Sequence, residues 1–207
     1  MKVMFPNYFK AFNANFLFNK SLKSFSEEIL NKANNSSSKT KLYFSYGITS
    51  LPHVDKRQKG GEDAHCGNDR LLAVADGVGG WNDVGVDPSL YSKELCSNIM
   101  KQHESDTSKD LIQVFINACK NTKNRGSSTC TICKIHSHDK IEALNLGDSG
   151  YLILRPNFNL EQNAYNFDVI FKSEEQTHGF NFPFQVGEGG DNPAKAEVKL
   201  HNVKPYD

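Results

Sequence analysis

The sequence lacks several features that would assign it at once to a class of protein. It has no apolar run near the ~20 residues that a membrane-spanning helix requires. Its 24 basic and 24 acidic residues balance, so no excess charge favours nucleic acid or an anionic membrane surface. Its five cysteines are too few for a disulfide scaffold and indicate a reducing compartment. What is left is a chain of 207 residues, long enough for one domain with a sizeable core.

Two of the cysteines have the spacing of zinc ligands. Cys130 and Cys133 are followed by His136 and His138. The surrounding stretch is rich in β-forming residues, and residues three apart on a strand point to opposite faces. Side chains that diverge cannot bind one ion together, so the sequence favours a structural role for this pair.

Residues 1–40 differ in composition from the rest. The first 26 residues are basic without one acidic residue, and Phe5, Phe9, Phe12 and Phe16 are spaced to lie on one side of a helix. This pattern predicts a mitochondrial targeting segment, whereas several asparagines and the absence of arginine favour a loosely docked leader in a cytoplasmic protein. Both interpretations stay open. A polar run at 34–38 predicts a linker, so the division is a leader and linker over 1–40 and a folded domain over 41–207.

The pattern of the folded part predicts an α+β protein with an antiparallel sheet. Strands are predicted over 42–49, 71–75, 128–135, 140–146, 150–154, 168–171 and 197–203. Two helices interrupt the strands. The first is predicted to begin at Asp87-Pro88 and to bury Leu90, Leu95, Ile99 and Met100. The second follows Thr107-x-x-Asp110, which resembles a capping box.

Three acidic pairs carry the candidate chemistry: Glu62-Asp63, Asp76-Gly77 and Asp148-Ser149. Carboxylate and carbonyl oxygens are the ligands that magnesium and manganese prefer. An aspartate at the end of a buried strand is rigidly aimed, and a following glycine leaves its own carbonyl accessible. Each pair alone is also common in turns. Their order along the chain favours the metal interpretation.

Four segments, taken in order, resemble the PPM-type metal-dependent serine/threonine protein phosphatases, the phosphatase 2C-like family. They are Gly61–Ala64, Val74–Gly80, Gly126–Thr129 and Asn145–Gly150, and the resemblance covers about residues 42–207. The sequences around Trp81 and at Phe182–Gln185 are similar to those of a subgroup of this family with mitochondrial and plastid members.

The resemblance implies a four-layer fold, an antiparallel β-sandwich flanked by helices. It implies that Asp76 bridges two Mg²⁺ or Mn²⁺ ions, that the Gly77 carbonyl binds one of them, and that Asp148 helps to bind a third, weaker ion. Glu62 and Asp63 would hold metal-bound waters. A water bridging the two metals would attack the phosphate of a phosphoserine or phosphothreonine protein, without a covalent enzyme intermediate.

The sequence departs from the family pattern at three places. Gln58 stands where many members have a phosphate-binding arginine, so Arg57 or Lys59 is a candidate for that role, with surface charge as the alternative. Val78 stands where many members have a histidine, so no general acid is assigned. The sequence ends at Asp207, before the family's two further metal-binding aspartates, so the predicted domain is C-terminally incomplete.

This last departure predicts weak or absent catalysis by the 207-residue form, and poor solubility. It leaves a second hypothesis open, a non-catalytic PPM-like binding protein, and a third, a phosphatase of small phosphoesters. The substrate, the metal and the oligomeric state are left open.

Overall fold

Five strands form one antiparallel sheet. The computed structural model describes residues 41–160 and 162–207, apart from the side chains of Asp55 and Lys59. In their order across the sheet, the strands are β1 (Ala64–Gly67), β2 (Leu71–Ala75), β4 (Cys130–Ile135), β5 (Lys140–Leu146) and β11 (Glu197–Asn202). The predicted strands at 71–75, 140–146 and 197–203 are confirmed to within a residue.

Two helices pack against this sheet and against each other. Helix α1 spans Pro88–Ser105 and α2 spans Leu111–Asn121. The predicted start of α1 is confirmed, because the Asp87 carboxylate accepts a hydrogen bond from the Ser89 amide at 2.9 Å. The predicted capping box is wrong, because α2 begins only at Leu111 and both Thr107 and Asp110 precede it.

The apolar face of α1 differs from the prediction at one residue. Leu95 and Ile99 are fully buried, whereas Leu90 is 50% exposed. At about 100° per residue Leu90 lies roughly 140° around the helix from Leu95, so it cannot share that stripe. Tyr91 and Ser92 take the inward positions instead.

The core lies between the helices and one face of the sheet. Burial of each large apolar side chain there stabilises the folded state by roughly 1.5–3 kcal/mol, compared with the same side chain exposed to water. The largest of these apolar side chains are Phe115, Leu71, Leu95, Ile99, Leu111, Ile132, Leu144, Leu146 and Val114.

The other strands pair two by two, all antiparallel. β3 (Ser127–Ser128) pairs with β10 (Val186–Gly187), β6 (Leu152–Asn159) with β7 (Ala164–Lys172), and β8 (Thr177–Gly179) with β9 (Phe182–Pro183). Short 3₁₀ helices cover Val54–Lys59, Gly79–Val84 and Pro193–Lys195. The predicted α+β class is confirmed. Within the described residues, one five-stranded sheet and three two-stranded pairs stand where two large sheets were expected.

Two sequence-based expectations concern the start of the chain. Residues 42–49 form no strand, and Tyr43 and Ile48 are exposed, because no neighbouring strand pairs with them. The predicted leader, linker and targeting segment at 1–40 lie outside the described residues. No helix among the described residues has the length and apolar character to cross a membrane.

Cys130 and Cys133 both lie on β4, as the strand prediction requires. Burial raises the pKa of the Cys130 thiol well above its usual range and that of Cys133 to about 12. Metal binding needs the thiolate, so this environment opposes it.

Candidate metal-binding active site

The turn after β2 is fixed by hydrogen bonds to β3. The Asp76 carbonyl accepts from the Thr129 amide at 3.0 Å and from the Ser128 hydroxyl at 2.9 Å, and the Val78 amide donates to the Ser127 carbonyl at 3.0 Å. The buried strand β2 therefore ends in a turn that is held on both sides of Gly77. These bonds hold the main chain at Asp76 and Gly77 in one conformation.

A cavity of about 350 Å³ lies at this turn. It brings together four of the predicted site residues, Glu62, Asp76, Gly77 and Asp148. The other lining residues are Lys56, Val78, Gly79, Gly80, Thr129, Asn181 and Pro183.

Asp63 is not among the residues that line the cavity, but its carboxyl group interacts with that of Asp76. Burial in the first place, and then the negative charge of Asp76, raise the pKa of Asp63 to about 6. The pair concentrates negative charge at a half-buried position, an arrangement that a cation would stabilise.

Asp148 reaches the cavity from the end of β5. Gly147 adopts a left-handed backbone, with φ of 103°, and an added Cβ would approach the Phe184 carbonyl to 2.5 Å. The neighbouring Ser149 hydroxyl is 2.6 Å from that of Thr129, which ties the β5 turn to the β3–β4 segment. Burial raises the pKa of Asp148, and the charge of Asp76 raises it further.

Glu62 is held by two side-chain donors. The Lys56 Nζ donates to its Oε2 at 2.5 Å and the Asn82 Nδ2 to its Oε1 at 2.5 Å. Its backbone carbonyl accepts from the Ser92 hydroxyl of α1 at 2.6 Å. These bonds orient the carboxylate beside the cavity.

Arg57, one of the two residues predicted to bind phosphate, is placed outside the cavity lining. That side chain is exposed and does not line the cavity, and the side chain of Lys59 is outside the described set. The cation at the cavity is Lys56, which the sequence interpretation missed.

A short hairpin, β8–β9, forms the opposite wall through Asn181 and Pro183. Its base is tied down, because the His178 Nε2 lies 2.9 Å from Asp191 and the His178 ring stacks on Phe184 with centroids 4.3 Å apart. This wall was not predicted, since the strands are only two or three residues long.

Comparison with known proteins gives a consistent result. No family model matches the chain. It is 40% identical over 167 residues to "Probable protein phosphatase 2C 55" of Arabidopsis thaliana, a match that covers 78% of this chain and 33% of that protein. "Protein phosphatase PTC7 homolog fig" of Drosophila ananassae is 36% identical over 155 residues, covering 66% of this chain and 43% of that protein.

A solved structure agrees with these relatives. The X-ray structure of the photosystem II phosphatase PBCP is similar with a TM-score of 0.65 and 29% identity, covering 74% of this chain and 59% of that one. The chain belongs to the PPM-type protein phosphatase family. The Mycobacterium tuberculosis phosphatase PstP shares the PPM fold at a TM-score of 0.50 and 14% identity, covering 78% of this chain and 73% of that chain.

The chain spans only part of the length of these relatives, 33% of the Arabidopsis protein and 43% of the Drosophila protein. The matches therefore establish the family and the fold. Activity, substrates and partners are proposals.

The residues that line this cavity suit a hard cation in their chemistry. The cavity offers carboxylate and carbonyl oxygens and no soft ligand. Magnesium commonly binds through one or two carboxylates and keeps several waters. The described residues contain no group of three or more His, Cys, Asp or Glu side chains that could hold an ion, so the fit is to a water-rich site and not to a closed cage.

Proposed function

We propose that this chain acts in a metal-dependent protein serine/threonine phosphatase that hydrolyses phosphoserine and phosphothreonine. One observation carries the proposal: Glu62, Asp76, Gly77 and Asp148 converge on one cavity in a member of the PPM family. We propose that residues 41–207 form this phosphatase-like domain.

The proposed roles of the residues are those that the family resemblance implies. The Asp76 carboxylate and the Gly77 carbonyl would hold two Mg²⁺ or Mn²⁺ ions, with Asp148 at a third and weaker site. Glu62 and Asp63 would accept hydrogen bonds from waters around those ions, and Lys56 and Asn82 keep Glu62 turned to the cavity. Bound metal would supply a nucleophile at neutral pH and neutralise the charge of the phosphate.

A second candidate function is a non-catalytic PPM-like binding protein. The observation that favours it is the absence, among the described residues, of a group of three or more metal-ligating side chains. Two ions held mainly by Asp76 and Gly77 would bind weakly, and a protein that binds phosphoproteins without hydrolysing them would need no such ions.

The Asp76→Asn variant tests the proposed function. We expect Mn²⁺-dependent hydrolysis of an aryl phosphate by the 1–207 chain to be weak, and to fall to the buffer rate in Asp76→Asn, because the carboxylate at the centre of the site is lost. Asp83→Asn, an exposed acid on the Gly79–Val84 helix, is the matched control and should leave the rate unchanged. Equal rates in wild type and Asp76→Asn would remove Asp76 from the site. No metal-dependent rate in the wild type would favour the binding role.

The location of the protein is a separate proposal, for the mitochondrion. It rests on the basic, phenylalanine-rich composition of the first 26 residues. A fusion of residues 1–40 to a fluorescent protein tests it. Diffuse cytoplasmic fluorescence would contradict the proposal.

A further inference from the structure

Lys56 brings positive charge to a cavity whose other charged lining residues are acids. Among the described lining residues the acids are Glu62, Asp76 and Asp148, and Lys56 is the basic one. A phosphate monoester is a dianion near neutral pH, so these acids repel it. Metal ions offset part of that repulsion, and a cationic side chain at the same cavity offsets more.

The ammonium group of Lys56 is oriented by its neighbours. It donates to Glu62 Oε2 at 2.5 Å, and a Cβ at Gly79 would lie 3.0 Å from Lys56 Nζ. The absence of a side chain at position 79 thus leaves space for the pair. Asn82 holds the other carboxylate oxygen, so the carboxylate that anchors Lys56 is itself fixed.

Lys56 retains donor capacity after this bond. A lysine ammonium has three N–H donors, and the described contacts use one of them, toward Glu62. The side chain is 42% exposed, so the remaining donors are accessible from the solvent side. A phosphate oxygen in the cavity could accept them.

We propose that Lys56 is a substrate-binding residue that donates to a non-bridging oxygen of the substrate phosphate, with Glu62 as its positioning residue. The proposal deepens the proposed function and rests on it for the identity of the ligand. It assigns phosphate binding to Lys56, whereas the sequence indicates Arg57 and Lys59 as the candidates. Lysine binds phosphate as a point charge, without the two-pronged geometry of arginine.

The alternative is that Lys56 serves only as a counter-ion for Glu62. In that case its loss would change the orientation of Glu62 and the stability of the domain, but not the affinity for a phosphate group. A non-hydrolysable ligand separates the two interpretations, because it measures phosphate binding without requiring turnover.

The test titrates phenylphosphonate into the 1–207 chain by calorimetry at pH 8 with Mn²⁺ present. We expect Lys56→Gln to bind about tenfold more weakly than wild type, the lower end for a hydrogen bond between charged groups, because the site is partly exposed. Lys56→Arg should recover most of the affinity. Lys101→Gln, which removes an exposed cation of α1 that does not line the cavity, is the control and should bind like wild type.

The outcomes decide the proposal in either direction. Unchanged affinity in Lys56→Gln, an equal loss in Lys56→Arg, or no binding by wild type would overturn it. Thermal melting identifies variants that fold, and Lys56→Met, which keeps the aliphatic stem, is the second variant if Lys56→Gln unfolds. Hydrolysis measured on the same samples with the Asp76→Asn blank reports the proposed function separately: binding that depends on Lys56 without turnover supports this inference while the catalytic proposal fails.

Discussion

Gly77 occupies a position where β1, β2 and α1 meet. A Cβ at this residue would lie 2.5 Å from the Glu62 carbonyl and 3.0 Å from the Pro88 carbonyl, both of them backbone atoms. Backbone cannot move aside as the end of a flexible side chain can. At the scale of single residues, the close approach of three elements thus requires glycine at this position for space.

We expect Gly77→Ala to lower the free energy of unfolding by about 1–3 kcal/mol, the usual range for overpacking. Gly80→Ala is the matched control, because a Cβ there meets no atom within 4 Å. Urea unfolding followed by circular dichroism measures both. Equal stability of the two variants would show that the turn relaxes freely.

The sequence could predict most of the residues at the cavity but not its cation. Glu62, Asp76, Gly77 and Asp148 stand in local motifs, and the structure brings these four together. Lys56 has no motif. It reaches the cavity because the chain reverses through Gly60 and Gly61, which both have left-handed backbones, at φ of 81° and 82°. Two successive glycines after a basic run were the available signal.

At the scale of elements, α1 shows which part of a helix can be predicted from sequence. Its start was predicted from Asp87-Pro88, since capping is a local interaction. Its buried face was predicted in part, because the sheet determines which stripe turns inward. Leu95 lies in that stripe and Leu90 does not.

The same contrast gives a stability prediction. We expect Leu95→Ala to lower the free energy of unfolding by about 2–5 kcal/mol, because it opens a cavity in the core. Leu90→Ala, on the exposed face, should change that free energy by about 0.5 kcal/mol or less. Thermal and urea unfolding of the two variants provide the comparison. A similar cost for both would contradict the packing of α1.

The elements that the sequence did not predict depend on whether another segment lies beside them to pair with. Residues 42–49 have strand-forming composition but no neighbour to pair with, so they stay irregular. The strands β8, β9 and β10 are two or three residues long and show no periodicity. β8 and β9 pair with each other as a hairpin, whereas β10 pairs with β3, which lies almost 60 residues earlier in the chain. Local patterns contain no information on such long-range contacts.

At the scale of the whole molecule, the β6–β7 hairpin presents an apolar face. The register pairs Leu154 with Val169 and Phe158 with Tyr165, and Phe167 lies between them on β7. All five are exposed, with Val169 at 64% and Phe167 at 62%. Contiguous exposed apolar surface of this kind favours association.

We expect the 1–207 chain to associate as its concentration rises, and the double variant Phe167→Lys/Val169→Lys to reduce this, because charge on the apolar face opposes contact. Light scattering across a concentration series measures the association of both proteins. Asn166→Lys on the same strand is the control, since it adds charge at a residue that is already polar. Unchanged association in the double variant would exclude this face as the cause.

The bonds from β3–β4 to the Asp76 carbonyl have a consequence for local opening. The Thr129 amide, which donates one of these bonds, is almost fully buried in the segment between β3 and β4. Its hydrogen can exchange with solvent only when the turn at Asp76 separates from that segment. The exchange rate of this amide thus reports how the site opens: a rate equal to that of the amides of β4 and β5 means that the site opens together with the central sheet, and a faster rate means that the turn opens by itself.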